Sequence, residues 1–174
     1  ADIYIYEDVG SGWFGGVTAK QFASDLKALG SISTIDLHIN SGGGDVFDGL
    51  AIYRQLVDHK ARVIAHIDGL AASIASVIAM AGDEIRISEA GFIMIHNAWG
   101  LAIGNGDEMR RMADLLDTTT GSIADVYVAR TKNDASKVRD WMTEETWFTG
   151  ADAVENGFAD EVVANLRVAA KIDP

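Results

Sequence analysis

The chain has 174 residues, 48% of them hydrophobic, which suits one domain with a sizeable core. It contains no cysteine, so disulfides, thiolate metal sites and a cysteine nucleophile are excluded. A formal net charge of −12 argues against binding nucleic acid or an anionic membrane by bulk electrostatics.

Ile3-Tyr4-Ile5-Tyr6 is β-branched and aromatic and predicts a strand. Glu7 to Gly16 is a glycine-rich loop carrying Trp13 and Phe14. Thr18 caps a helix, with Gln21 as its capping-box partner, an apolar stripe at Phe22, Leu26 and Leu29, and Gly30 as the stop. Ile35 to Asn40 alternates as a strand should, and leads through Ser41-Gly42-Gly43-Gly44-Asp45 into a helix from Val46 to about His59. Arg62 to Ile67 is the third strand. Asp68-Gly69 breaks it, and Ala71 to Ala81 is small, apolar and reads as a buried helix. Ile85 to Ile87 and Phe92 to Ile95 are short strands, the second ending in His96-Asn97. Trp99 to Gly106 is a loop. A long helix spans about Asp107 to Arg130, a short one Ser136 to Met142, and a compact one Gly150 to Asn156, with Gly157 as its C-cap. Glu161 to Val163 closes the chain as a strand. Strand–helix alternation predicts an α/β fold with right-handed crossovers. The longest apolar run, Leu70 to Ala81, is too short to span a bilayer, and no targeting segment is visible. The reading is a soluble, cytoplasmic protein without a membrane partner.

Three stretches carry chemistry. Ser73, in Gly69-Leu70-Ala71-Ala72-Ser73-Ile74, sits near the first turn of the buried helix, where unpaired N–H groups favour a negative oxygen. Taken alone it reads first as a serine that caps a helix. Asn40 to Gly44 follows a strand and precedes a helix, and its glycines let backbone N–H donors approach a ligand. It is not a phosphate loop, because the Lys and Ser/Thr that should follow are missing. His96 lies at the carboxyl end of a strand, where α/β sheets hold their ligand chemistry, and a neutral imidazole beside Ser73 could take its proton. His38 and His66 lie within strands and His59 ends a helix; each reads as structural or as a surface side chain. No two histidines have metal-ligand spacing, so neither a metal nor a cofactor is assigned.

Ile39 to Val46 with Gly49 to Tyr53, Gly69 to Ser73, Met94-Ile95-His96, and Phe148 to Asp160 together resemble the proteolytic subunit of the Clp protease, in order and approximate spacing, across nearly the whole chain. The nearest flavour is that of the Clp-like head (prohead) maturation proteases of phages, carried by Glu145 to Thr149. The resemblance implies a single domain over 1–174 and a ClpP/crotonase-like spiral of ββα units. It makes Trp99 to about Arg130 a protruding handle of strand and long helix. It implies a serine endopeptidase acting on polypeptides, in capsid maturation or protein degradation, with Ser73 as nucleophile and His96 as general base. The N–H groups of Gly44 and Ile74 would form the oxyanion hole. The family's third triad member falls at Glu145, two residues before Trp147, with Glu144 the next candidate on the opposite side of an extended segment. A ring-shaped homo-oligomer is also implied.

The family's Ser-Pro-Gly-Gly is Ser41-Gly42-Gly43-Gly44 here, so the turn loses a rigid proline. The chain opens almost at its first strand, without the N-terminal segment that helps dock an ATPase in the family, which argues against an ATPase unfoldase partner. Two readings of other kinds compete: a crotonase-like acyl-CoA enzyme, which needs no Ser/His pair, and a catalytically inactive assembly or scaffold subunit. A Ser/Lys peptidase would need a lysine near Ser73, and neither Lys60 nor Lys132 has an evident place there.

Overall fold

A computed structural model describes residues 1–12 and 16–164. In chain order the elements are β1 (Asp2–Ile5), α1 (Ala19–Ala28), β2 (Thr34–Ser41), α2 (Val46–Val57), β3 (Arg62–Ala72), α3 (Ile74–Ala79), β4 (Glu84–Ser88), β5 (Phe92–Ile95), α4 (Gly106–Thr131), α5 (Ala135–Thr143), β6 (Thr146–Thr149), α6 (Gly150–Glu155) and β7 (Glu161–Val163). Trp13 and Phe14, expected in the first loop, lie outside the described residues.

The strands β1-β2-β3-β4-β7 form a parallel path, as strand–helix alternation requires. Alternate residues of the central strands face one way and are buried: Ile35, Leu37 and Ile39 on β2, Val63, Ala65 and Ile67 on β3, Ile85 and Ile87 on β4. They join Ile52 and Leu56 of α2 and Val77 and Ile78 of α3 in one core. Burial of each such Val, Leu or Ile side chain contributes about 1.5–3 kcal/mol. Gly49 lets α2 approach α3 closely, because a Cβ there would lie 2.1 Å from Ile74 Cγ1.

The other sheet face is polar and half-buried. His38 stacks on Tyr4 and on His66, with ring centroids 4.8 and 4.6 Å apart. His38 Nδ1 lies 2.8 Å from Asp68 Oδ2 and His66 Nε2 3.1 Å from Asp36 Oδ1. Both rings therefore have local partners, as the sequence reading expected.

Several expected boundaries move. β3 does not stop at Ile67; it runs on through Asp68-Gly69 to Ala72 and changes neighbour on the way. Ile64–Ile67 pair with β4, while Leu70–Ala72 pair with β5. Asn40 makes this continuation possible: its Oδ1 accepts the Leu70 N–H at 3.1 Å, in space that only a glycine at 69 leaves open. Ala71 and Ala72 are therefore strand, and the helix begins at Ile74 rather than Ala71. Thr18 Oγ1 accepts the Gln21 N–H, but the Gln21 side chain bonds Asp25, so the expected capping box is only half formed. The expected handle strand is also missing among the described residues: 98–105 lead into α4 as a loop. A strand not expected at all, β6, pairs antiparallel with β5.

Candidate active site

The partner change along β3 delivers Ser73 to its surroundings. β3 ends alongside β5 with Ala72 opposite Met94, and the Ser73 N–H donates to the Met94 carbonyl at 2.9 Å. Two residues past Met94, His96 leaves the end of β5. Ser73 Oγ and His96 Nε2 then lie 2.7 Å apart, a hydrogen bond of ordinary length between groups 23 residues apart in the chain.

Ser73 has φ 53 and ψ −129, a backbone conformation that non-glycine residues rarely adopt. Holding it there costs on the order of 1–3 kcal/mol, so surrounding bonds must over-determine it. Besides the N–H bond to Met94, the Ser73 carbonyl accepts from the N–H of Ser76 at 3.0 Å and from Ser76 Oγ at 2.6 Å. The result is a sharp strand-to-helix corner with the hydroxyl at its apex.

The glycine loop reaches the same corner. Gly43 and Gly44 have φ of 102 and 142, values that favour glycine. A Cβ on Gly44 would lie 2.1 Å from the Val9 carbonyl oxygen, and one on Gly43 would lie 2.7 Å from Ser73 Cβ. The loop is pinned from both sides. Val9 N–H donates to Gly43 O and Asp45 N–H to Val9 O, each at 2.8 Å. Ser41, buried, donates from Oγ to the Glu7 carbonyl at 2.7 Å and accepts the Gly43 N–H at 3.2 Å. These bonds supply the stiffness that a proline at 42 would otherwise give. No described residue accepts the N–H of Gly44 or of Ile74. Both residues line a cleft of about 380 Å³ together with Ser73 and His96.

The acid arrives by strand register. β5 and β6 pair antiparallel, with Ile95 opposite Thr146, and the next pair in that register is His96 and Glu145. Glu145 Oε2 lies 3.7 Å from His96 Nδ1, close enough for charge interaction but beyond a hydrogen bond. Its side chain is 57% exposed, against 17% for His96. Glu144 and Glu145 are not the extended pair that the sequence suggested. Glu144 caps α5 in a helical conformation, and Glu145 turns left-handed with φ 51. The turn brings Glu145 beneath the histidine, and Glu144 belongs to the helix end.

The matched sequence features now have a common frame. A family model described as Clp protease matches residues 3–166. The chain belongs to the Clp protease family. Its curated relatives include the ATP-dependent Clp protease proteolytic subunit of Bacteroides thetaiotaomicron, 30% identical over 84% of this chain and 69% of the relative. Proteolytic subunit 1 of Protochlamydia amoebophila is 28% identical over 95% of this chain and 81% of the relative. The subunit of Ligilactobacillus salivarius is 32% identical over 82% and 73%. As a Clp protease family member the chain is a serine peptidase, and its mixed α/β architecture with a mainly parallel sheet agrees with that fold. Among the described residues, no helix is long and apolar enough to cross a membrane.

Sequence reasoning missed two parts of this Clp-type site. Ser41 was read only as part of a glycine loop, although a buried hydroxyl before three glycines signals a local strap. Nothing in the sequence sets Tyr127 apart from the other aromatics; it lines the cleft from α4 and bonds Ser76.

Proposed function

We propose that the chain is an endopeptidase that hydrolyses peptide bonds through an acyl-enzyme on Ser73. The observation that carries this reading is the 2.7 Å contact between Ser73 Oγ and His96 Nε2, in a cleft that also holds the unpaired N–H groups of Gly44 and Ile74. Ser73 Oγ attacks the peptide carbonyl carbon while its proton passes to His96 Nε2. The oxygen that becomes negative takes the Gly44 and Ile74 N–H donors, which are already fixed in place. The C–N bond then breaks, and His96 returns the proton to the leaving amine. A water attacks the ester by the same route, and Ser73 leaves with its proton restored. Glu145 faces the other ring nitrogen and stabilises the imidazolium. Hydrolysis of a short peptide is downhill and calls for no ATPase.

The test is labelling with an organophosphorus fluoride, followed by peptide mapping and an assay on a short fluorogenic peptide. The expected result is one adduct, on Ser73, with parallel loss of hydrolysis. Hydrolysis that survives without an adduct on Ser73 would sink the assignment. Absence of both would favour the inactive assembly subunit, and turnover of an acyl-CoA the crotonase-like reading. Processing of a phage head protein is the narrower form of the proposal, carried by the Glu145–Thr149 segment. A capsid precursor cleaved by the wild type and spared by Ser73→Ala would support it.

A homo-oligomer, ring-shaped and joined through the handle from Trp99 to about Arg130, is proposed alongside. Trp99, Leu101 and Ile103 are 76%, 85% and 92% exposed on the loop before α4, and Leu115 is exposed on the helix itself. Clustered apolar side chains of this size signal a contact surface. Sedimentation velocity at micromolar concentration should show a species several times the mass of one chain. A lone monomer at every concentration would contradict it.

A further inference from the structure

We propose that Ser76 and Tyr127 are positioning residues that aim the peptide unit between Ser73 and Ile74, and with it one of the two oxyanion donors. The inference rests on the Ser73 reading above and extends it to two side chains that do not touch the reacting atoms.

The geometry is a chain of three oxygens. Ser76 Oγ donates to the Ser73 carbonyl at 2.6 Å. That uses the hydroxyl's only proton, so the 2.8 Å contact between Ser76 Oγ and Tyr127 Oη has the tyrosine as donor. Ser76 is 0% and Tyr127 1% exposed, so no solvent competes for either bond. Burial also pushes the Tyr127 phenol well above its usual range, so it stays protonated and stays a donor. Chains of this kind polarise each successive bond.

What the chain ends on decides its role. A serine that bonds back to a carbonyl three residues earlier is common in helices and by itself means little. Here that carbonyl belongs to Ser73, at the strained corner. A peptide unit is planar, so fixing the direction of the Ser73 C=O fixes the opposite direction of the Ile74 N–H. The carbonyl is held by two donors from Ser76 while the Ile74 N–H is left unpaired in the cleft. Tyr127 itself is held by α4, and its ring packs edge-on against Phe158 at 5.8 Å. The donor at the reacting centre is thus referenced to a helix that contributes no acid, base or nucleophile.

The experiment compares Tyr127→Phe, Ser76→Ala and the double variant with wild type. Four quantities are read: kcat and KM on a fluorogenic peptide, Ki for a peptide aldehyde that adds to the serine, the rate and end point of organophosphorus fluoride labelling, and Tm. Tyr127→Phe removes one hydroxyl and leaves no cavity, so it decides the matter if Ser76→Ala does not fold. The double variant removes both partners together and strands no buried polar group. The expected result is kcat lowered about tenfold in Ser76→Ala and in the double variant, and about threefold in Tyr127→Phe. KM should be unchanged, and aldehyde Ki should rise in step with the loss in kcat. Labelling should be slower but reach the wild-type end point. Unchanged kcat and Ki in the double variant, beside an active wild type, overturn the positioning role alone. So does a fall in kcat that merely tracks a lower labelling end point, which reports lost folded protein. A wild type that neither turns over peptide nor labels at Ser73 overturns the nucleophile reading, and this inference with it.

Discussion

Replacing Ser73 by alanine is expected to lower kcat for peptide hydrolysis by on the order of 10⁶, with no adduct from an organophosphorus fluoride and an unchanged circular dichroism spectrum. His96→Ala should cost nearly as much, since nucleophile and base act as a unit, and the double replacement should cost little more than either alone. The structural ground is the 2.7 Å bond between the two side chains and the absence of any other histidine lining the cleft among the described residues. A residual rate above the uncatalysed reaction should survive in Ser73→Ala, because the Gly44 and Ile74 donors remain. Folding should be little affected: Ser73 has only its hydroxyl to lose, and its backbone bonds to Met94 and Ser76 do not depend on it. Steady-state kinetics on the purified variants decide this. Alanine at 73 with more than a hundredth of wild-type kcat would remove Ser73 from the chemistry, on the scale of the loss expected.

Glu145→Gln is the second large effect, expected to lower kcat about a hundredfold with KM unchanged. A buried, hydrogen-bonded carboxylate in this role is worth on the order of 10⁴ when replaced by its amide, through loss of charge and the wrong histidine tautomer. Two measurements argue for less here. The carboxylate oxygen is 3.7 Å from Nδ1 rather than in bonding contact, and the side chain is 57% exposed, so water screens it. Glu144→Gln should be close to wild type, because Glu144 sits at the helix end. Salt separates the accounts further: a screened charge loses its effect at high ionic strength, so the gap between Glu145→Gln and wild type should narrow there. Equal rates for wild type and both glutamine variants would leave Ser73 and His96 working as a dyad.

Much of this architecture was legible because its signals are local. The alternation in Ile35–Asn40 and the short apolar run Phe92–Ile95 mark strands wherever they are paired, and Thr18 and Gly157 mark helix ends by their own chemistry. His96 was legible because it follows a strand, at the end of the sheet where ligand chemistry collects. Ser73 reads as part of the first turn of a helix, and the structure sets it directly after β3 instead. What stayed hidden depends on contacts far along the chain. Gly69 reads as a breaker, yet the Asn40 side chain, 30 residues away, and pairing with β5 keep the chain around it in β3. The four residues of β6 carry no strand pattern strong enough to stand alone, and they form a strand because β5 offers an edge. Glu145 could be placed in order along the chain but not in conformation, since nothing in Glu144-Glu145-Thr146 announces a left-handed turn. Tyr127 looked like any core aromatic, because its partner is set by how α4 crosses α3.

The unbroken run of β3 also acts as a ruler. At roughly 3.3 Å per residue, one residue added to or taken from Asp68–Ala72 moves the serine by about that distance. The same change sends its side chain to the other face, away from the histidine. The stretch between the β4-paired and β5-paired halves therefore does not tolerate a change of length. The loop at 98–105, which holds no strand partner, has no such constraint. Lengths that vary among related chains should collect there, while the distance from Arg62 to the nucleophile stays fixed to the residue.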